Sequence, residues 1–153
     1  MASINGIAHI QLTVSDMKRS VPFYRMLLQS LEMVTLRDTP DYFYCIGGRT
    51  GVAIAPVAPE FKEEAYNQRR LGLHHVCFRA RSRADVDAIY QTALALKAKI
   101  VRAPREDSWA PGYYSVLFED PDGIRLEVNF VPGKGVFDPG VERIGSVEPR
   151  SGT

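Results

Sequence analysis

The chain has 153 residues, 45% of them hydrophobic, with 19 basic and 18 acidic side chains and a formal net charge of +1. This length suits one domain or two small fused modules. The balanced charge, without a basic stripe, argues against a nucleic-acid partner, and no apolar run is long enough to span a membrane. With no signal-peptide pattern and only two cysteines, the chain is expected in a reducing cytoplasm.

The first module is predicted to span residues 1–57. Residues 7–14 alternate apolar and polar side chains with period two, which predicts a strand with one face on a hydrophobic layer. Ser15-Asp16 opens a helical segment, in which Pro22 fits a first-turn position capped by Ser20. Three strand-like runs separated by turn residues complete a βαβββ order, at 33–37, 42–46 and 52–57.

A charged segment without a clean period, residues 58–71, is the predicted linker and has room for a helical turn. The second module, residues 72–131, repeats the order. Residues 76–80 alternate like a strand, and the capping-box pattern Ser82-Arg83-Ala84-Asp85 starts a helix. A short strand, a loop that carries Trp109 and two longer strands follow, at 100–102, 104–112, 113–119 and 124–130. Residues 132–153 have many Gly and Pro residues and form an irregular tail.

The two modules also repeat in sequence. Gly-Ile-Ala-His-Ile at 6–10 returns as Gly-Leu-His-His-Val at 72–76, and Gly-Val-Ala-Ile-Ala at 51–55 returns as Gly-Ile-Arg-Leu-Glu at 123–127. Two glycine-led motifs that recur in the same order indicate a duplicated supersecondary unit. Three matched positions hold potential metal ligands, namely His9, His75 and Glu127. The fourth holds Ala55, which cannot bind a metal.

Strand parity places His9, His75 and Glu127 on the face opposite the apolar residues, which are expected to pack on a helix. A lone histidine on a strand usually belongs to the surface, but three candidate ligands at matched positions favour a metal site. Two imidazoles and one carboxylate suit one divalent ion: Fe, Mn, Zn, Co or Ni. Three protein ligands leave coordination positions open for substrate, water or dioxygen.

Four stretches, residues 9–16, 20–24, 74–78 and 118–127, resemble the vicinal oxygen chelate superfamily. That superfamily includes glyoxalase I, fosfomycin resistance enzymes, methylmalonyl-CoA epimerase, extradiol dioxygenases and metal-free bleomycin resistance proteins. The resemblance covers residues 6–131 as one domain. It implies an α+β fold in which two tandem βαβββ modules form a half-open mixed β-barrel with helices outside.

Several residues differ from the motifs of individual families in this superfamily, and each difference argues against one of their activities. Ala55 stands where glyoxalase I has a second carboxylate, which argues against true glyoxalase I activity. Leu117 replaces a tyrosine of the extradiol signature, and no histidine follows His75. Fosfomycin enzymes carry a threonine where this chain has Gln11. Bleomycin-binding relatives lack the metal ligands, of which this chain keeps three.

Side chains on the ligand face, or in the loop that covers it, are the expected substrate contacts. Gln11 shares the face of His9, Arg79 is placed to bind a substrate carboxylate, and Trp109 lies in a covering loop. Phe43 and Ser115 occupy matched positions of the repeat and are expected to line the cavity wall.

The predicted function is a glyoxalase- or dioxygenase-like divalent-metal enzyme, of lyase, isomerase or transferase type. It would act on a small substrate chelated through vicinal oxygens, with Glu127 as the candidate catalytic base. The alternative is a non-catalytic small-molecule-binding or resistance protein of the bleomycin-resistance type. Ala55 and the lack of a free base favour that alternative, and the intact set of three ligands opposes it.

One module is too small to bury its sheet well, so modules must pair within one chain or between two. A linker of about fourteen residues reaches either way. Its charge and the Gly/Pro-rich tail favour a twofold homodimer with exchanged modules, in which His9 of one chain meets His75 and Glu127 of the other.

Overall fold

The computed structural model describes residue 4 and residues 6–133, and the βαβββ order occurs twice in this part of the chain. The first module comprises β1 (His9–Val14), α1 (Met17–Ser30), β2 (Val34–Thr39), β3 (Tyr42–Gly47) and β4 (Thr50–Pro56). The second comprises β5 (Val76–Arg79), α2 (Arg83–Ala95), β6 (Lys99–Glu106), β7 (Tyr114–Glu119) and β8 (Arg125–Phe130). A single 3-10 turn, Pro59–Phe61, lies in the linker.

Each module forms one four-stranded mixed sheet, in the orders β1-β4-β3-β2 and β5-β8-β7-β6. In both sheets the first and last strands of the module pair in parallel, and the remaining pairs are antiparallel. The parallel pair needs a crossover, which α1 and α2 supply. No described strand of one sheet pairs with the other sheet, so the sheets stay open. The predicted α+β fold of two βαβββ modules is confirmed.

The helix starts differ in how well the sequence predicted them. The Asp16 carboxylate caps α1 by accepting from the Lys18 amide at 2.9 Å. The prediction that Ser20 caps the helix was wrong. Ser20 lies inside the helix, and its amide donates to the Asp16 carbonyl at 2.9 Å. Pro22 therefore sits within α1 rather than in the first turn. The Ser82 cap of α2 is confirmed, with its hydroxyl accepting from the Asp85 amide at 3.1 Å.

The β6 strand is longer than predicted, because it continues through Pro104 to Glu106. Proline is tolerated here because β6 is the edge strand of its sheet. The register with β7 shifts twice, between Ile100 and Arg102 and between Arg102 and Arg105. Such irregularities turn side chains away from simple alternation.

The two modules share one hydrophobic core, and α1 contacts α2 within it. Polar contacts reinforce this join at the turn before β8. The buried Tyr24 hydroxyl donates to Asp120 at 2.7 Å, and the Ser15 amide donates to Asp122 at 2.8 Å. We call the contacts of Tyr24 and Ser15 with this turn the inter-module clasp. Neither helix has the length and apolarity that crossing a bilayer would require.

Candidate metal centre

Glu127 is the buried centre of a polar cluster on the helix-free face of the second sheet. It lies in the middle of β8 and is only 8% exposed. The strand register places Cys77 beside it on β5 and Leu117 beside it on β7. A buried carboxylate requires hydrogen-bond donors or a cation, and this one has both kinds of neighbour.

The two oxygens of Glu127 have different partners. Oε1 accepts from the Tyr113 hydroxyl at 2.9 Å and from Nη2 of Arg102 at 3.1 Å. Oε2 lies 3.3 Å from Nε2 of His75. Nη2 of Arg102 also donates to the hydroxyl of the fully buried Ser115 at 2.7 Å.

His75 precedes β5 by one residue and presents its two ring nitrogens to different neighbours. Its Nδ1 lies 2.8 Å from Nδ1 of His74, so one ring donates and the other accepts. Its Nε2 faces Glu127, as described. Two ligand atoms bound to one tetrahedral ion at about 2.0–2.1 Å stand roughly 3.3–3.4 Å apart. The His75–Glu127 spacing therefore fits two ligands of a single divalent ion.

His9 occupies the corresponding place on the first sheet, at the start of β1, and its side chain is exposed. The register pairs it with Gly51, and a side chain at Gly51 would overlap the Tyr44 ring, whose hydroxyl would be 2.1 Å from it. Tyr44 therefore covers Gly51 next to His9. Among residues 4 and 6–133, no three His, Cys, Asp or Glu side chains meet as a metal site. Within one chain, His9 does not join the His75–Glu127 pair.

The strand register identifies the first-module counterpart of Glu127. Cys77 pairs with Glu127, and Gln11, its repeat equivalent, pairs with Ala53. The sequence repeat alone suggested Ala55, which is two residues further along the same face. Neither alanine can bind a metal, so the first module contributes no carboxylate at this position.

The remaining predicted substrate contacts lie in different environments. Gln11 and Arg79 are exposed on the helix-free faces, and Trp109 is 70% exposed in the loop before β7. Phe43 differs from expectation: it is fully buried in the helix-facing core and lies under the Arg25 guanidinium at 4.9 Å. Side chains alternate between the two faces along β3, so Tyr44 lies on the helix-free face beside His9 while Phe43 lies on the core face.

The Cys77 thiol is a poor nucleophile at neutral pH. Although part of the residue reaches solvent, burial of the sulfur and the nearby Glu127 carboxylate raise its pKa to about 12. Burial likewise raises the pKa of Tyr113, so its phenol remains a hydrogen-bond donor to Glu127. Burial thus disfavours a thiolate in the cluster, and Tyr113 stays a neutral donor to the carboxylate.

Arg102 and Tyr113 were missed as site residues by the sequence analysis. Tyr113 was detectable, since it has the parity of Ser115 and Leu117, and Leu117 lies opposite Glu127. Arg102 was not detectable in this way. The register shifts on either side of it break the alternation that assigns residues to a face.

The sequence matches the family described as the Glyoxalase/Bleomycin resistance protein/Dioxygenase superfamily over residues 6–128. It is 29% identical to the metallothiol transferase FosB of Shouchella clausii over 82% of this chain and 80% of that protein. It is also 29% identical to a lactoylglutathione lyase of Haemophilus influenzae, over 79% and 89%. A solved structure from Bacillus halodurans, 24% identical, superposes with a TM-score of 0.74 over 83% of this chain and 96% of that chain.

Proposed function

The chain belongs to the Glyoxalase/Bleomycin resistance protein/Dioxygenase superfamily, and on that premise we propose that it is a divalent-metal enzyme. The substrate would be a small molecule that chelates the ion through vicinal oxygens, in a reaction of lyase, isomerase or transferase type. The observation that carries this proposal is the pairing of His75 Nε2 with Glu127 Oε2 at 3.3 Å on a helix-free face. Similarity to proteins named as a transferase and a lyase supports the reaction classes.

His75 and Glu127 would hold the ion together with His9. The ion would supply Lewis-acid polarisation of the substrate oxygens and an electrostatic partner for the negative charge that develops on them. Glu127 would serve as the base only after leaving the ion, and Oε2 would then take the proton, because Oε1 already accepts two hydrogen bonds. Arg79, exposed on the same sheet face, would bind an anionic part of the substrate.

The site would be completed between two chains. His9 is exposed and apart from the other two ligands within one chain, and both sheets are open. A twofold homodimer with exchanged modules would bring the helix-free face of a first module over the helix-free face of a partner's second module. This arrangement supplies the third ligand without any change in the fold of either module.

Metal analysis of protein purified without chelators tests the proposal. We expect about one equivalent of divalent metal per chain and a loss of most of it in His75→Ala. His74→Ala is the comparison variant: it removes an imidazole that bonds to His75 without being a predicted ligand, so it should weaken metal binding but still load when excess metal is supplied. Wild-type protein with less than about a tenth of an equivalent, unchanged by His75→Ala, would contradict the metal site.

The second candidate is a binding protein without chemistry. It is favoured by Ala53 and Ala55, which leave the first module without a carboxylate that could serve as a free base. Turnover assays with glutathione hemithioacetals, epoxides and catechols distinguish the two functions. Metal-loaded protein that binds such compounds without converting any of them would support the binding protein.

A further inference from the structure

Two strong donors hold the carboxylate of Glu127 through the same oxygen. Oε1 accepts from Tyr113 and Arg102, while Oε2 faces His75, and the weakly donating Cys77 thiol lies beside the carboxylate. A carboxylate accepts about four hydrogen bonds or binds an ion through one or both oxygens. The two carboxylate oxygens of Glu127 therefore differ in the hydrogen bonds that they accept.

The Arg102 donor is anchored by a second hydrogen bond. Its side chain is 16% exposed and its Nη2 also donates to Ser115, while its buried Nη1 has no hydrogen-bond partner and lies 3.6 Å from Asp107. Tyr113 enters the cluster just before β7, the strand that pairs with β8. The donors come from outside the strand of Glu127, so they control the rotation of its carboxylate independently of that strand.

We propose that Arg102 and Tyr113 are positioning residues that present Glu127 to the metal through a single oxygen, Oε2. The inference rests on the proposed metal site and goes beyond it by assigning a coordination mode and the residues that impose it. Two donors on Oε1, one of them a guanidinium, compete with any ion for that oxygen. Outer groups that orient a ligand in this way govern metal affinity, and removing one typically weakens binding about 10- to 100-fold.

The test uses cobalt(II) chloride as the probe, with titration calorimetry for affinity and visible absorption for coordination number. Tyr113→Phe and Arg102→Lys are the test variants. Tyr114→Phe and Arg105→Lys are matched controls, because Tyr114 bonds to Asp87 and Arg105 pairs with Asp107 rather than with Glu127. We expect about 10- to 100-fold weaker cobalt binding in the test variants and no more than about twofold in the controls.

The spectrum separates positioning from general loss of structure. Release of Oε1 allows Glu127 to bind through both oxygens, which raises the coordination number and weakens the cobalt d–d bands. Cobalt affinity and bands that stay at wild-type values in both test variants would overturn the proposal while leaving the metal site intact. Wild-type protein that binds no cobalt would overturn the metal site itself. If Arg102→Lys fails to fold, Tyr113→Phe alone decides, since it removes one hydroxyl.

Discussion

At the scale of single residues, the Asp120 carboxyl links the two modules through hydrogen bonds. It accepts from the Tyr24 hydroxyl and from the amides of Ile124 and Asp122, at 2.7, 2.7 and 2.9 Å. Burial raises the pKa of Asp120, and these hydrogen bonds offset part of the rise. The turn before β8 is thereby tied to α1 through a partly compensated buried charge.

Tyr24→Phe should destabilise the protein in a pH-dependent manner. An acid whose folded pKa is raised costs stability above that pKa, and the cost is relieved as the pH falls through it. The substitution removes a bond that lowers the pKa of Asp120, so the cost increases at neutral pH. We expect a loss of about 1–2 kcal/mol in the free energy of unfolding near pH 7, shrinking towards about pH 4.

Urea unfolding at the two pH values measures this effect. Tyr114→Phe is the control, since its hydroxyl bonds to Asp87 at the surface, and it should change the free energy of unfolding by no more than about 0.5 kcal/mol. A loss for Tyr24→Phe that is equal at both pH values would rule out the coupling to Asp120.

At the scale of elements, the start of α1 depends on Asp16. Asp16→Ala removes the carboxylate that accepts from the Lys18 amide and should cost about 1 kcal/mol of stability. Ser20→Ala is the contrasting variant. Its buried hydroxyl has no hydrogen-bond partner, so its removal should be neutral or stabilising. Thermal unfolding of both variants checks the assignment, and a larger loss in Ser20→Ala would place the cap back at Ser20.

The elements also show what the sequence could predict. Period-two alternation correctly assigned Leu12 and Val14 to the core and His9 to the other face, because a regular strand obeys parity. Alternation did not predict the face of Arg102, because register shifts interrupt it. The opening of α1 at Ser15-Asp16 was predicted, but the cap was assigned to Ser20 because Pro22 resembles a first-turn residue, whereas the Asp16 carboxylate caps the helix one turn earlier.

At the scale of the whole molecule, the two sheets offer two helix-free faces, and the part of one chain that the structure describes does not bring them together into a metal site. The modules meet through their helices and through the inter-module clasp. The repeat predicted that His9 and the His75–Glu127 pair lie on these two faces, and their binding of one metal ion stays a prediction. Their separation within one chain depends on how the helices pack, which the repeat does not encode.

Subunit exchange tests the proposed dimer. Mixing His9→Ala chains with Glu127→Ala chains should restore one intact site in each heterodimer, or about a quarter of the wild-type metal content after random exchange of equal amounts. Each variant alone should bind little metal. No recovery after verified exchange would place every site within a single chain.

The distance between His9 and the His75–Glu127 pair has a consequence for occupancy in dilute solution. An ion whose ligands come from two chains is also a cross-link, so metal binding and association become one linked equilibrium. Dilution below the dissociation constant of the dimer would then release the ion even at constant free metal. The loaded fraction in a cell would follow the abundance of the protein as well as the supply of metal.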